Sequence, residues 1–134
     1  MKLLPRLALM GTFFYVRKAL AEKTNVKECL NQWINSISMR DPAITTSLYS
    51  PEAVLIGTFA DDLAIGQDAI YSYFTGLFKK KGLRAEILSL YIQEKENIAS
   101  GLYKFIHEDG EAIARYSFVF KGDKIMNHHS SLLP

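Results

Sequence analysis

At Gly82 the periodicity of this chain changes from helical to extended. Before it, apolar residues recur every three or four positions; after it they alternate. Upstream, Val26, Cys29, Leu30, Trp33, Ile34 and Ile37 form one apolar face of a helix over residues 25–39, with Thr24 or Asn25 able to cap its start. Asp41-Pro42 reads as an N-cap followed by proline at the first helical position, opening a short helix to residue 48 that Tyr49-Ser50-Pro51 breaks. Residues 53–58 and 63–65 read as short strands around the turn Ala60-Asp61-Asp62. A third helix, from Gly66-Gln67-Asp68 to about Lys80, carries Ile70, Tyr73, Phe74, Leu77 and Phe78 on its apolar face, and Lys81-Gly82 ends it.

Downstream, four longer strands are predicted at 84–93, 98–107, 112–121 and 124–131. Asp109-Gly110 and Gly122-Asp123 are tight-turn pairs that join them as hairpins. Helices segregated early and antiparallel strands late define an α+β plan, in which a curved sheet wraps the first helix and buries Trp33. The 134 residues suit one domain with a real core.

The extreme N-terminus follows another logic. Lys2 and Arg6 precede an uncharged, mostly apolar run over residues 7–16, and Ala19-Leu20-Ala21 supplies small residues for cleavage. This is the pattern of a secretory signal peptide over residues 1–21, cleaved after Ala21, leaving a single domain over 22–134 in the periplasm or secreted. The run is too short to span a bilayer, so no stable membrane insertion is expected. Arg17 and Lys18 behind it keep a competing reading open, an uncleaved anchor in the inner membrane. Lys2, Arg6, Arg17 and Lys18 are the leader's only charges, so its removal leaves 12 basic residues against 14 acidic ones. The folded domain is then slightly acidic, which removes the electrostatic support for nucleic-acid binding. Lys79-Lys80-Lys81, the remaining basic run, complements a helix C-terminus.

Near the C-terminus stands His128-His129-Ser130-Ser131, a polar quartet on a strand. Side chains alternate along a strand, so His128 and Ser130 share one face and His129 and Ser131 the other. Adjacent histidines that diverge cannot share an ion, and His107 lies on another strand, so no metal site and no cofactor are expected. The same divergence separates each serine from the base that a nucleophile needs. Cys29, the single cysteine, allows no intramolecular disulfide and reads as a small buried hydrophobe. For acid–base chemistry the candidates are His128 and Asp41, although an aspartate before proline is also a helix cap. Tyr49, Tyr103 and Tyr116 offer phenols to a ligand or simply pack. Arg115 stands mid-strand among apolar residues. Facing inward it would need an anion such as a small carboxylate; facing outward it would pair across an interface or with a neighbouring strand.

Several of these residues carry a resemblance. Trp33, Asp41, the run Leu48-Tyr49-Ser50-Pro51-Glu52-Ala53-Val54-Leu55, Gly66 with Ile70 and Tyr73-Phe74, Gly101-Leu102-Tyr103, Arg115-Tyr116-Ser117-Phe118-Val119 and the His128-His129-Ser130-Ser131 ending with Pro134 are its elements. From Val26 to the end, the chain resembles the nuclear-transport-factor-like (SnoaL-like) superfamily. Within it, the chain resembles bacterial relatives of the calcium/calmodulin-dependent protein kinase II association domain. The resemblance implies a cone-shaped, cystatin-like α+β fold, with N-terminal helices on a curved, mainly antiparallel sheet. It implies an open cavity and self-association into a homodimer or larger ring through the outer face of the sheet. It also implies a ligand site drawn from Arg115, Tyr49, Trp33, Tyr103, Tyr116, His128 and Ser130. The functional expectation is an exported, non-catalytic module that binds a small carboxylate or other organic molecule. The alternative is a cavity isomerase, cyclase or dehydratase using His, Asp and Tyr.

Overall fold

The computed structural model describes residues 23–134; the expected signal peptide and its cleavage point lie outside that range. Helix α1 (Val26–Met39) starts where Asn25 accepts a hydrogen bond from the Glu28 N–H, and stops at Arg40, which takes a left-handed conformation. It is followed by α2 (Pro42–Thr46), β1 (Tyr49–Ile56), β2 (Ala64–Ile65), α3 (Gln67–Leu77), β3 (Arg84–Gln93), β4 (Ile98–His107), β5 (Gly110–Lys121) and β6 (Lys124–Leu132). The helices cover one face of a six-stranded sheet ordered β2-β1-β6-β5-β4-β3. All neighbours are antiparallel except β1 and β6, which run parallel. The fold is α+β with a curved, mixed sheet that does not close.

The four late strands fall within two residues of their expected bounds. The differences lie upstream. The second helix ends at Thr46, and β1 begins at Tyr49 rather than at residue 53. Pro51 sits inside that strand, where pairing with β6 lapses between Tyr49 and Val54. A residue without an N–H is tolerated at such an interruption, so the proline marks an irregular strand rather than a break before one.

Two further irregularities shape the sheet. Leu88 is an extra residue in β3 opposite β4. The bulge brings the Ser89 carbonyl so near Gly101 that a Cβ there would collide with it. Met126 is the extra residue in β6 opposite β5. Bulges bend a strand and increase its twist, which helps the sheet wrap the helix. The core they enclose holds Leu30, Trp33 and Ile37 from α1, Phe74 from α3, and Tyr103, Phe105, Phe118 and Ile125 from the sheet.

Candidate functional site

Strand parity brings the polar end of β6 into the interior. His128 and Ser130 are each only 2% exposed, whereas His129 is exposed. Ile125 also points inward, although it lies an odd three positions from His128. The Met126 bulge takes up the extra residue and lets both face the core.

His128 sits in an aromatic box. Its ring stacks on Phe118 at 3.8 Å between centroids and meets the edge of Trp33 at 5.1 Å. Its Nδ1 lies 2.8 Å from the Tyr49 hydroxyl and its Nε2 3.2 Å from the Tyr103 hydroxyl. The Trp33 indole N–H donates to the same Tyr49 oxygen at 2.9 Å.

This arrangement fixes the tautomer. Tyr49 already accepts from Trp33, so its own proton has His128 Nδ1 as its partner. Nε2 therefore carries the imidazole proton and donates to Tyr103. Tyr103 in turn has the hydroxyls of Ser130 and Thr58 beside it, and these two also bond to each other. The result is a directed chain, Trp33 to Tyr49 to His128 to Tyr103, ending at the Ser130–Thr58 pair.

Burial sets the electrostatics. Desolvation, with the neighbouring His129 adding to it, lowers the His128 pKa to about 3. Burial raises the Tyr49 and Tyr103 phenols well above their usual range; Trp33 offsets part of the shift at Tyr49, and Ser130 and Thr58 part of it at Tyr103. At neutral pH every member is uncharged. The described buried polar side chains are Ser36, Thr45, Thr46, Thr58, His128 and Ser130, with no carboxylate among them.

The other expected residues stand apart from this network. Asp41 is exposed, and its carboxylate accepts from the Ala43 N–H, so it is a helix cap and not a base in the interior. Arg115 is exposed on the opposite face of β5 from Ala114, Tyr116 and Phe118, and its guanidinium donates to the Leu132 carbonyl at 3.4 Å. The β4–β5 register runs without a bulge, so parity holds and Arg115 takes the outward of its two placements. It does not line the interior. The Tyr116 ring stacks on Tyr103, but its hydroxyl donates to the Ser89 carbonyl at 2.8 Å; burial raises its pKa to about 12. Cys29 is half-buried on α1, and burial pushes its thiol up. His107 accepts from the Asp109 N–H in the β4–β5 hairpin. Among the described residues no three His, Cys, Asp or Glu side chains cluster as a metal site would need.

Thr58 and Tyr73 complete the site, and sequence periodicity did not single them out for it. Thr58 follows β1 in a turn, where strand parity no longer applies, and Tyr73 was read only as part of the apolar face of α3. The Tyr73 ring lies so close to Gly57 that a Cβ there would collide with it. Between Trp33, Thr58, Tyr73, Tyr103, Phe105 and His128 a void of about 10 Å³ remains, room for roughly one water. The expected open hollow is thus almost filled by aromatic side chains. A larger surface groove, about 550 Å³, lies elsewhere, between the start of α1 and the β3–β4 hairpin. Its lining, which includes Lys23, Asn25, Lys27, Glu94 and Asn97, has none of the network's groups.

An α+β cone with a polar cluster at the inner end of its last strand is a nuclear-transport-factor-like architecture. The chain belongs to the SnoaL-like domain family, whose model matches residues 26–134. It is similar to a structure described as a calcium/calmodulin dependent protein kinase II association domain from Xanthomonas campestris. The identity is 26% and the TM-score 0.69, over 78% of this chain and 83% of the other. It is similar in fold to a polyketide cyclase-like structure from Sinorhizobium meliloti, at 19% identity and TM-score 0.65, over 77% and 93% of the two chains. A ketosteroid isomerase-like protein from Erwinia carotovora atroseptica shares the fold at 14% identity and TM-score 0.63, over 84% and 97%. A comparison with curated proteins finds no match.

Proposed function

We propose that this chain is an exported, non-catalytic module that pairs with a second copy and holds a small organic molecule at the His128 end of its interior. The observation that carries the reading is the state of His128. Both ring nitrogens are engaged by phenols, no carboxylate among the described residues reaches it, and it stays neutral across the physiological range. A general base must exchange a proton near working pH, usually with a charged or orienting partner. This histidine is arranged to organise hydroxyls instead.

Self-association is supported by the convex face of the sheet. Val54 and Val119 both pair with Asn127, Ile98 with Val119, and Leu102 with Arg115, so these residues share that face with Ile113. None of the apolar ones is buried in a single subunit. Partly exposed apolar side chains on one sheet face, set among Arg115, Ser117 and Asn127, are what a second copy would cover. Light scattering on residues 22–134 tests it: a dimer or larger species is expected, and a monomer at micromolar concentration overturns the assembly part. Thermal-shift titration with small organic molecules, carboxylates included, tests the binding part. N-terminal sequencing of protein recovered outside the cytoplasm tests export, with Glu22 expected as the first residue.

The fold shared with cyclase-like and isomerase-like proteins supports a second reading, a cavity enzyme. That reading requires His128 to change protonation during turnover. An activity abolished by His128→Gln, with a rate rising through a pKa between 5 and 8, would establish it in place of the first.

A further inference from the structure

Strand register sets the outward side chains of the sheet in rows that cross the strands, and residues directly opposite on one face stand about 5 Å apart. One row on the convex face runs Val54, Asn127, Val119, Ile98 and is mainly apolar. The next runs His129, Ser117, Ser100, and beside it Ser131 stands opposite Arg115. Hydroxyls and an imidazole thus gather around one cation in the middle of the face. That cation lacks a carboxylate. The ion pairs among the described residues join Arg84 to Glu86 and Lys104 to Glu111, so the acids on this face are engaged elsewhere. Glu111 lies four residues from Arg115 along β5, which is about 14 Å. The Arg115 bond to the Leu132 carbonyl is long, at 3.4 Å, and uses one arm of the guanidinium fork.

We propose that Arg115, Ser131, Ser117 and His129 form a site for a free tetrahedral oxyanion of the inorganic phosphate class, enclosed when a second copy covers the sheet. The inference rests on the self-association reading above and names what that interface takes up as it forms. In a single subunit Arg115 is exposed and water solvates it. A covering copy removes that water, and a covered cation without an anion is strongly disfavoured. The donors select the ion. A guanidinium fork, two hydroxyls and an imidazole N–H, spread over β5 and β6, exceed what the two oxygens of one carboxylate can use. A tetrahedral ion presents oxygens to both strands at once. An ester of phosphate adds a substituent that would stand between the two copies. The site is on the opposite side of the sheet from the His128 network and shares none of its groups.

Sedimentation equilibrium on residues 22–134, which hold all the described elements, tests the proposal in chloride buffers of constant ionic strength. Millimolar inorganic phosphate is expected to lower the dimer dissociation constant about tenfold in the wild type. Sulfate should act as phosphate does; acetate and phenyl phosphate should not. Arg115→Gln, at an exposed position, should abolish the phosphate effect, and Ser131→Ala, which keeps the charge, should reduce it about threefold. Circular dichroism confirms that both variants fold. Phosphate also strengthens association by exclusion from protein surface, an effect common to all three proteins. An equal response in wild type and Arg115→Gln therefore overturns the site. Acetate as effective as phosphate overturns the class of ion, and phenyl phosphate as effective overturns the enclosure. Phosphate that binds the wild-type dimer in calorimetry without tightening it overturns the link to assembly. A monomer in every buffer overturns the self-association reading, whereas calorimetric binding of phosphate by that monomer, lost in Arg115→Gln, upholds the ion site alone.

Discussion

His128 and His129 are neighbours in the chain and belong to different environments. His128 is packed between Phe118 and Trp33 with both nitrogens bonded; His129 lies on the convex face beside Ser117 and Ile56. One step along a strand reverses the face and with it the physics. On the concave side each polar atom must find a protein partner, because an unsatisfied buried group costs about 1–3 kcal/mol. On the convex side water supplies the partners, and the residues are free to serve association.

The contrast breaks most visibly at Trp33. Truncation to alanine removes the largest fully buried side chain and the donor to Tyr49. We expect a loss of about 3–5 kcal/mol in urea unfolding followed by circular dichroism. Ile113→Ala on the convex face should cost less than about 1 kcal/mol. A similar loss at both sites would mean that the concave interior is not the core.

Acid is the next lever. The folded pKa of His128 lies below the ordinary value of 6.5, at about 3, so the unfolded state binds the proton first. Stability from this group is intact above pH 6.5 and is lost as pH falls through the window between the two values. Between pH 7 and pH 5 the loss should be about 2 kcal/mol. Urea midpoints measured across that range in the wild type and in His129→Ala should fall in parallel, while His128→Phe flattens the profile. An unchanged slope in His128→Phe would show that the proton goes elsewhere.

Tyr49→Phe sharpens the assignment of the network. It leaves the Trp33 N–H and His128 Nδ1 without their shared partner, at a cost of about 2 kcal/mol. Tyr116→Phe frees only the Ser89 carbonyl at a half-buried position and should cost about 1 kcal/mol. The smallest effect on folding is expected from His129→Ala, within about 0.5 kcal/mol. Ile113→Asp should likewise leave the melting temperature of the monomer nearly unchanged while shifting the light-scattering mass from dimer to monomer.

Much of the fold was legible because it rests on periodicity. The helical spacing from Val26 to Ile37 and the alternation from Tyr116 to Phe120 each report which face meets the core, and the structure buries those faces. The same alternation separated His128 and Ser130 from His129 and Ser131. The candidate site was legible only in part. Tyr49 and Tyr103 meet His128 across 79 and 25 residues of chain, and no local pattern encodes such a meeting. Thr58 lies in a turn where no period applies. Asp41 carried two readings, cap or base, and only its position at the surface chose between them.

The sequence by itself therefore determined the helices, the late strands, their order and which side chains share a face along each strand, because these follow from local sterics and from the need to bury apolar side chains. Tertiary structure alone decided the bulges at Leu88 and Met126, the outward placement of Arg115, the tautomer of His128 and the near-complete filling of the hollow. Those depend on how distant strands register and pack, and a one-residue slip in register would have exchanged every inward side chain for an outward one.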